Sequence, residues 1–75
     1  MRPYRNLSGN SGVVAYEVGA DFIKLRFTRG DTYRYDYRRP GHRDVERMKR
    51  LAAAGTGLST YVAQTVRERY AEKLS

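Results

Sequence analysis

A single histidine, His42, sits in the turn Pro40-Gly41-His42, with Asp44 and Glu46 following at alternate positions. His-x-Asp-x-Glu offers three side chains of metal-ligating type. On a helix that starts here, Asp44 and Glu46 project to different sides, so the three do not converge. Acids in a first helical turn suit the positive end of the backbone dipole instead. Ser8, Ser11 and Ser59 have no obvious base to activate a hydroxyl. Gly55-x-Gly57 lacks the third glycine and the preceding strand of a phosphate-binding loop. The expectation is a protein that is not an enzyme and carries no metal or cofactor site.

The more informative constellation is basic and aromatic. Lys and Arg number 15 against 8 Asp and Glu, a formal charge of +7, and seven tyrosines accompany them. Most of the bases are arginine, which grips phosphate or carboxylate bidentately and stacks on rings. An arginine-rich genome composition gives the same bias, and a basic chain speaks to association rather than to one partner. Lys24, Arg26 and Arg34 fall at positions expected on the outer face of a sheet. Arg38, Arg39, Arg43, Arg47, Lys49 and Arg50 follow, and against Asp44 and Glu46 they leave +4 between residues 38 and 50. Such a surface suits RNA or DNA phosphates, with tyrosines to stack bases. It equally suits an acidic surface of a nucleic-acid-handling or host protein, where Tyr4 and Tyr37 are the candidate anchors.

These side chains need a frame, and residues 22–37, FIKLRFTRGDTYRYDY, supply its centre. Ile23, Leu25 and Phe27 alternate with polar residues, and Tyr33, Tyr35 and Tyr37 do so after Gly30. Period-2 alternation on both sides of a glycine turn predicts a half-buried β-hairpin. A two-residue loop, Arg29-Gly30, would set Leu25 opposite Arg34 and join an apolar face to a polar one. A three-residue loop, Thr28-Arg29-Gly30 with Gly30 left-handed, sets Leu25 opposite Tyr33 and Ile23 opposite Tyr35. The second register is the expected one.

Residues 1–12 read as a flexible basic N-terminal arm, because Pro3 and the Ser/Gly/Asn run break both periodicities. A single domain is expected over residues 13–75. Its first strand spans residues 13–18, with Val14, Tyr16 and Val18 on the buried side and Gly19-Ala20-Asp21 as the turn. A turn around Pro40 leads to a helix over residues 44–54 with Asp44 as N-cap and Val45, Met48, Leu51 and Ala52 as its apolar stripe. After Gly55-Thr56-Gly57 a second helix is expected over residues 59–74, capped by Ser59 and striped by Tyr61, Val62, Val66, Tyr70 and Leu74. The fold class is α+β: a three-stranded antiparallel meander followed by two helices packed on one face.

A chain of 75 residues without cysteine must be held by one compact core. The missing cysteines suit a reducing cytoplasm, the expected location. No apolar run nears the ~20 residues of a membrane span, and no signal-peptide core is present, so no membrane partner is expected. The oligomeric state stays open.

The motif order resembles the KTSC domain, a short bacterial and phage family also found at the C-terminus of some lysyl-tRNA synthetases. The resemblance runs from Ser11 to Tyr70: Ser11 to Tyr16, Leu25-Arg26-Phe27 with Gly30, Tyr33-Arg34-Tyr35, then Tyr61-Val62, Val66-Arg67 and Tyr70. Ala63 stands where that pattern has an asparagine, the first-helix region is longer, and Gly57-x-Ser59 inverts a Ser-x-Gly step. The resemblance implies a small module without enzymatic activity, whose appended copies sit beside RNA-handling enzymes. The combined expectation is a non-catalytic binding module that contacts nucleic acid or a nucleic-acid-handling protein. The rival is a phage-type regulator or inhibitor that docks on one host protein, using charge for steering.

Overall fold

The computed structural model describes residues 1–7, 9 and 11–75. Five antiparallel strands form one sheet in chain order: β1 (Arg2–Pro3), β2 (Val13–Val18), β3 (Phe22–Phe27), β4 (Thr32–Asp36) and β5 (Glu72–Lys73). Helix α1 (His42–Ala54) and the short helix α2 (Leu58–Tyr61), continued by a π-helical turn over Val62–Val66, provide the second layer. The α+β class is as expected, and the expected three strands become five because a two-residue strand pairs with each edge.

The central hairpin has the expected register, with Leu25 opposite Tyr33 and Ile23 opposite Tyr35. Phe27 N–H donates to Asp31 O at 2.9 Å, closing a three-residue loop in which Gly30 has φ 93°. A side chain at that φ is strained, so glycine is the residue that lets the turn match the strand twist.

Of the expected β2 face, Tyr16 alone is buried. The register shifts between Val13 and Ala15, so that both Val13 and Tyr16 point into the core. This bulge pushes Val14 outward, and Val18 lies exposed on the rim of a groove beside Lys49 and Ala53. Period-2 counting fails at a bulge because one extra residue inverts the phase of the strand.

The segment expected as a free arm is docked over residues 2–7. Arg2 and Pro3 pair with Tyr16 and Ala15. Tyr4 inserts into the core with 6% exposure, and its hydroxyl accepts the Leu58 N–H at 3.3 Å. Arg5 donates to Ala53 O at 2.6 Å, and Leu7 N–H donates to Gly55 O at 2.7 Å. Gly55 ends α1 with φ 78°, and a Cβ there would meet the Arg5 side chain at 2.9 Å. The arm therefore closes over the free carbonyls at the helix end. Ser8 and Asn10, part of the same expected arm, lie outside the described residues.

Helix α1 buries Val45, Met48 and Ala52, as its periodicity requires. It begins at His42 after Gly41, two residues before the expected cap, and Asp44 lies in its first turn.

The second helix departs most. Gly57 precedes it, and Ser59 Oγ accepts the Gly12 N–H at 3.3 Å instead of capping. The ladder widens so that Arg67 N–H reaches Val62 O at 2.6 Å, and then the chain reverses. Arg69 N–H donates to Val66 O at 2.8 Å across Arg67, which has φ 47° and ψ −117°. This is a type II′ turn whose first central position is one that glycine ordinarily occupies. An arginine there costs on the order of 1–3 kcal/mol. The reversal brings Tyr70 against Tyr33 and Tyr35, with ring centroids at 4.6 Å and 6.4 Å. It also lets Ala71 and Leu74 donate to Arg34 O and Thr32 O, each at 2.7 Å. A continued helix would have left the β4 edge unpaired.

Candidate functional site

Three sequence-predicted bases lie on the outer sheet face, where acids neutralise two of them. Lys24 pairs with Glu17 at 3.7 Å and Arg34 with Asp36 at 3.4 Å, and both lie near the Phe22 ring. Arg26 is exposed opposite Ala15 and Thr32.

Arg38 and Arg39 occupy the turn after β4, and Asp36 organises that turn. The Asp36 carboxylate is buried and accepts the Arg38 and Arg39 N–H groups at 2.9 Å and 3.0 Å. Both arginines are exposed and border a depression shared with Asp36 and Glu72.

Arg43, Arg47 and Arg50 have a different setting. Spaced i, i+4, i+7, they share the exposed face of α1 and line a shallow groove with Tyr61. At 1.5 Å per residue the stripe runs about 10 Å along the helix. Asp44, next to Arg43 in the chain, accepts the Tyr61 hydroxyl and pairs with Arg69 at 3.0 Å. Among the described residues, no ion pair involves Arg43, Arg47 or Arg50. Burial and then the hydrogen bond to Asp44 raise the Tyr61 hydroxyl above its ordinary range, and Arg47 and Arg43 oppose the shift. Tyr61 therefore remains a neutral donor that occupies Asp44.

Neither expected tyrosine anchor is free. Tyr4 is a core residue. Tyr37 donates to Glu46 at 2.6 Å, its ring lies 4.5 Å from that of His42, and Lys49 pairs with the same Glu46 at 2.8 Å. The Lys49 hydrogen bond, followed by that from Tyr37, holds the Glu46 carboxyl below its usual range. The hydrogen bond to Glu46, followed by burial, raises Tyr37. Lys49 also donates to Ala20 O at 3.1 Å, so it belongs to this internal cluster and not to the free stripe. Among the described residues no group of three or more His, Cys, Asp or Glu side chains gathers around a point that would hold a metal ion.

Of the eight predicted surface bases, Lys24 and Arg34 have an ion-pair partner among the described residues, Arg26, Arg38 and Arg39 are exposed without one, and Arg43, Arg47 and Arg50 form an unpaired stripe on one helix face. Tyr61 and Arg69 were not singled out as site residues, because their roles depend on contacts with Asp44 17 and 25 residues away. The Arg67-Glu68-Arg69 run, too charged for a buried helix, was the one available signal.

No protein-family model matches the chain, and no curated protein or solved structure shows detectable similarity to it. No described helix is long and apolar enough to cross a membrane.

Proposed function

We propose that this chain is a non-catalytic, cytoplasmic binding module that grips the phosphate backbone of RNA or DNA through Arg43, Arg47 and Arg50. The observation that carries this reading is that no acid among the described residues pairs with the stripe. Like charges at i, i+4 weaken a helix by about 0.2–0.5 kcal/mol, and Arg43 in the first turn opposes the helix dipole. Such a stripe does not serve the stability of α1, whereas phosphates would neutralise it. The resemblance to the KTSC domain supports the same reading, since appended copies of that domain sit beside RNA-handling enzymes.

The test is a salt titration of binding to mixed-sequence single strands and duplexes. Log affinity should fall linearly with log salt and vary little with sequence. Replacing Arg43, Arg47 and Arg50 together by alanine should flatten the slope by roughly one unit for each phosphate no longer neutralised, with folding intact. An unchanged slope overturns the stripe as the binding surface. No binding at low salt, with one host protein retained at high salt, would favour the docking regulator instead.

A further inference from the structure

On the other side of residues 58–70 lies a crevice of about 390 Å³, between the hairpin loop and the π-helical turn. Phe27, Tyr33, Tyr35 and Tyr70 line its interior. Phe27 meets Tyr33 edge-on at 5.8 Å, and Tyr33 and Tyr70 overlap at a 40° tilt, so the lining is a joined aromatic cluster. Tyr35 is 1% exposed, yet among the described residues its hydroxyl makes no hydrogen bond. Tyr35 is one of the residues that line the crevice. Burial first, then Tyr33 and Tyr70, push this phenol above the ordinary tyrosine range, which keeps it protonated and able to donate.

The rim is mixed. Arg29 and Arg67 supply donors, while Asp31 and Glu68 supply acceptors. A purely cationic guest would meet two arginines, and a purely anionic one would meet two carboxylates. A nucleobase has a flat π-face for the rings and an edge of alternating donors and acceptors for the rim. Arg67 adds a second, independent sign. It holds a backbone conformation that favours glycine, and strain of this kind clusters at ligand-binding sites.

We propose that this crevice holds one unpaired nucleobase, stacked among Phe27, Tyr33 and Tyr70, so that the nucleic acid bound is single-stranded. The inference rests on the reading of α1 as a phosphate grip. The 58–70 segment joins the two surfaces: Tyr61 and Arg69 face the α1 stripe, while Val62, Arg67 and Tyr70 face the crevice.

The experiment compares three oligonucleotides of equal length and charge per strand: a mixed single strand, the same strand with every base removed, and the duplex. The single strand should bind about tenfold more tightly than the abasic strand, and more tightly than the duplex. Tyr70→Leu should abolish the advantage over the abasic strand without changing abasic affinity. The alanine triple variant of Arg43, Arg47 and Arg50 should weaken both strands alike. Arg67→Gly should raise the melting temperature by about 4 °C or more as the turn relaxes, and should lower single-strand affinity. If Tyr70→Leu does not fold, ring-proton NMR of the native protein decides, since Phe27, Tyr33 and Tyr70 should shift with the single strand and not with the abasic one. Equal affinity for the single and abasic strands overturns the base pocket and leaves the phosphate grip standing. No binding of any oligonucleotide at low salt overturns both.

Discussion

At the end of β4, Arg34, Arg38 and Arg39 border a depression with Asp36 and Glu72, and Arg34 pairs with Asp36, whereas along α1 Arg43, Arg47 and Arg50 border a groove lined by no acid among the described residues. The residue type is the same and the two sets are neighbours in sequence. In the first set the carboxylate of Asp36 binds two backbone N–H groups of the turn and the Arg34 side chain. In the second, the two acids of the same helix are already held, Asp44 by Tyr61 and Arg69 and Glu46 by Tyr37 and Lys49. A count of charge along the chain does not separate these cases, because what differs is whether the fold brings carboxylates to the same depression as the arginines. The first set lies beside the carboxylate that organises the turn, and the second is the surface proposed to meet phosphates.

The largest effect that would break this contrast is on Asp36. Asp36→Ala removes a buried acceptor of two N–H groups and should cost about 2–4 kcal/mol, read from the urea midpoint. A loss below about 0.5 kcal/mol would place the turn arginines on an ordinary surface and remove the distinction. A smaller effect sharpens it from the other side. Replacing Arg38 and Arg39 by alanine should alter nucleic-acid affinity by only about twofold, because screened surface charges contribute weakly without direct contact. A loss matching that of the helix triple variant would merge the two sets into one interface.

The smallest effect is a pH dependence. The hydroxyl of Tyr61 is raised in the folded chain, so its contribution is fully present below the ordinary phenol range, pH ~10, and lost as pH rises through the folded value. Melting temperatures should therefore fall above about pH 10, and Tyr61→Phe should make the fall shallower. An unchanged alkaline decline in that variant would mean that Asp44 is not held through Tyr61.

Much of the frame was legible. The alternation from Ile23 to Phe27, the glycine at position 30 and the returning Tyr33 and Tyr35 specify a hairpin and its register, since turn length and side-chain phase are local properties. The stripe of Val45, Met48 and Ala52 specifies α1 in the same way. The bulge at Val14 was not legible, because an inserted residue is seen only against the partner strand. Nor was the docking of Tyr4, which lies in a stretch without either periodicity and is held by hydrogen bonds to Val14 in β2 and Leu58 in α2.

The second helix and the arginines show where local reading stops. Tyr61, Val62, Val66 and Tyr70 do keep a helical spacing, and the chain obeys it as far as Val66. Beyond that point the free edge of β4 offers hydrogen bonds, and Tyr33 and Tyr35 offer ring contacts, that a continued helix would forgo. The sequence by itself determined the hairpin, the first helix and an excess of arginine. Only the tertiary structure decided which arginines are neutralised and where the last helix ends, because both depend on groups that meet across the fold and are far apart along the chain.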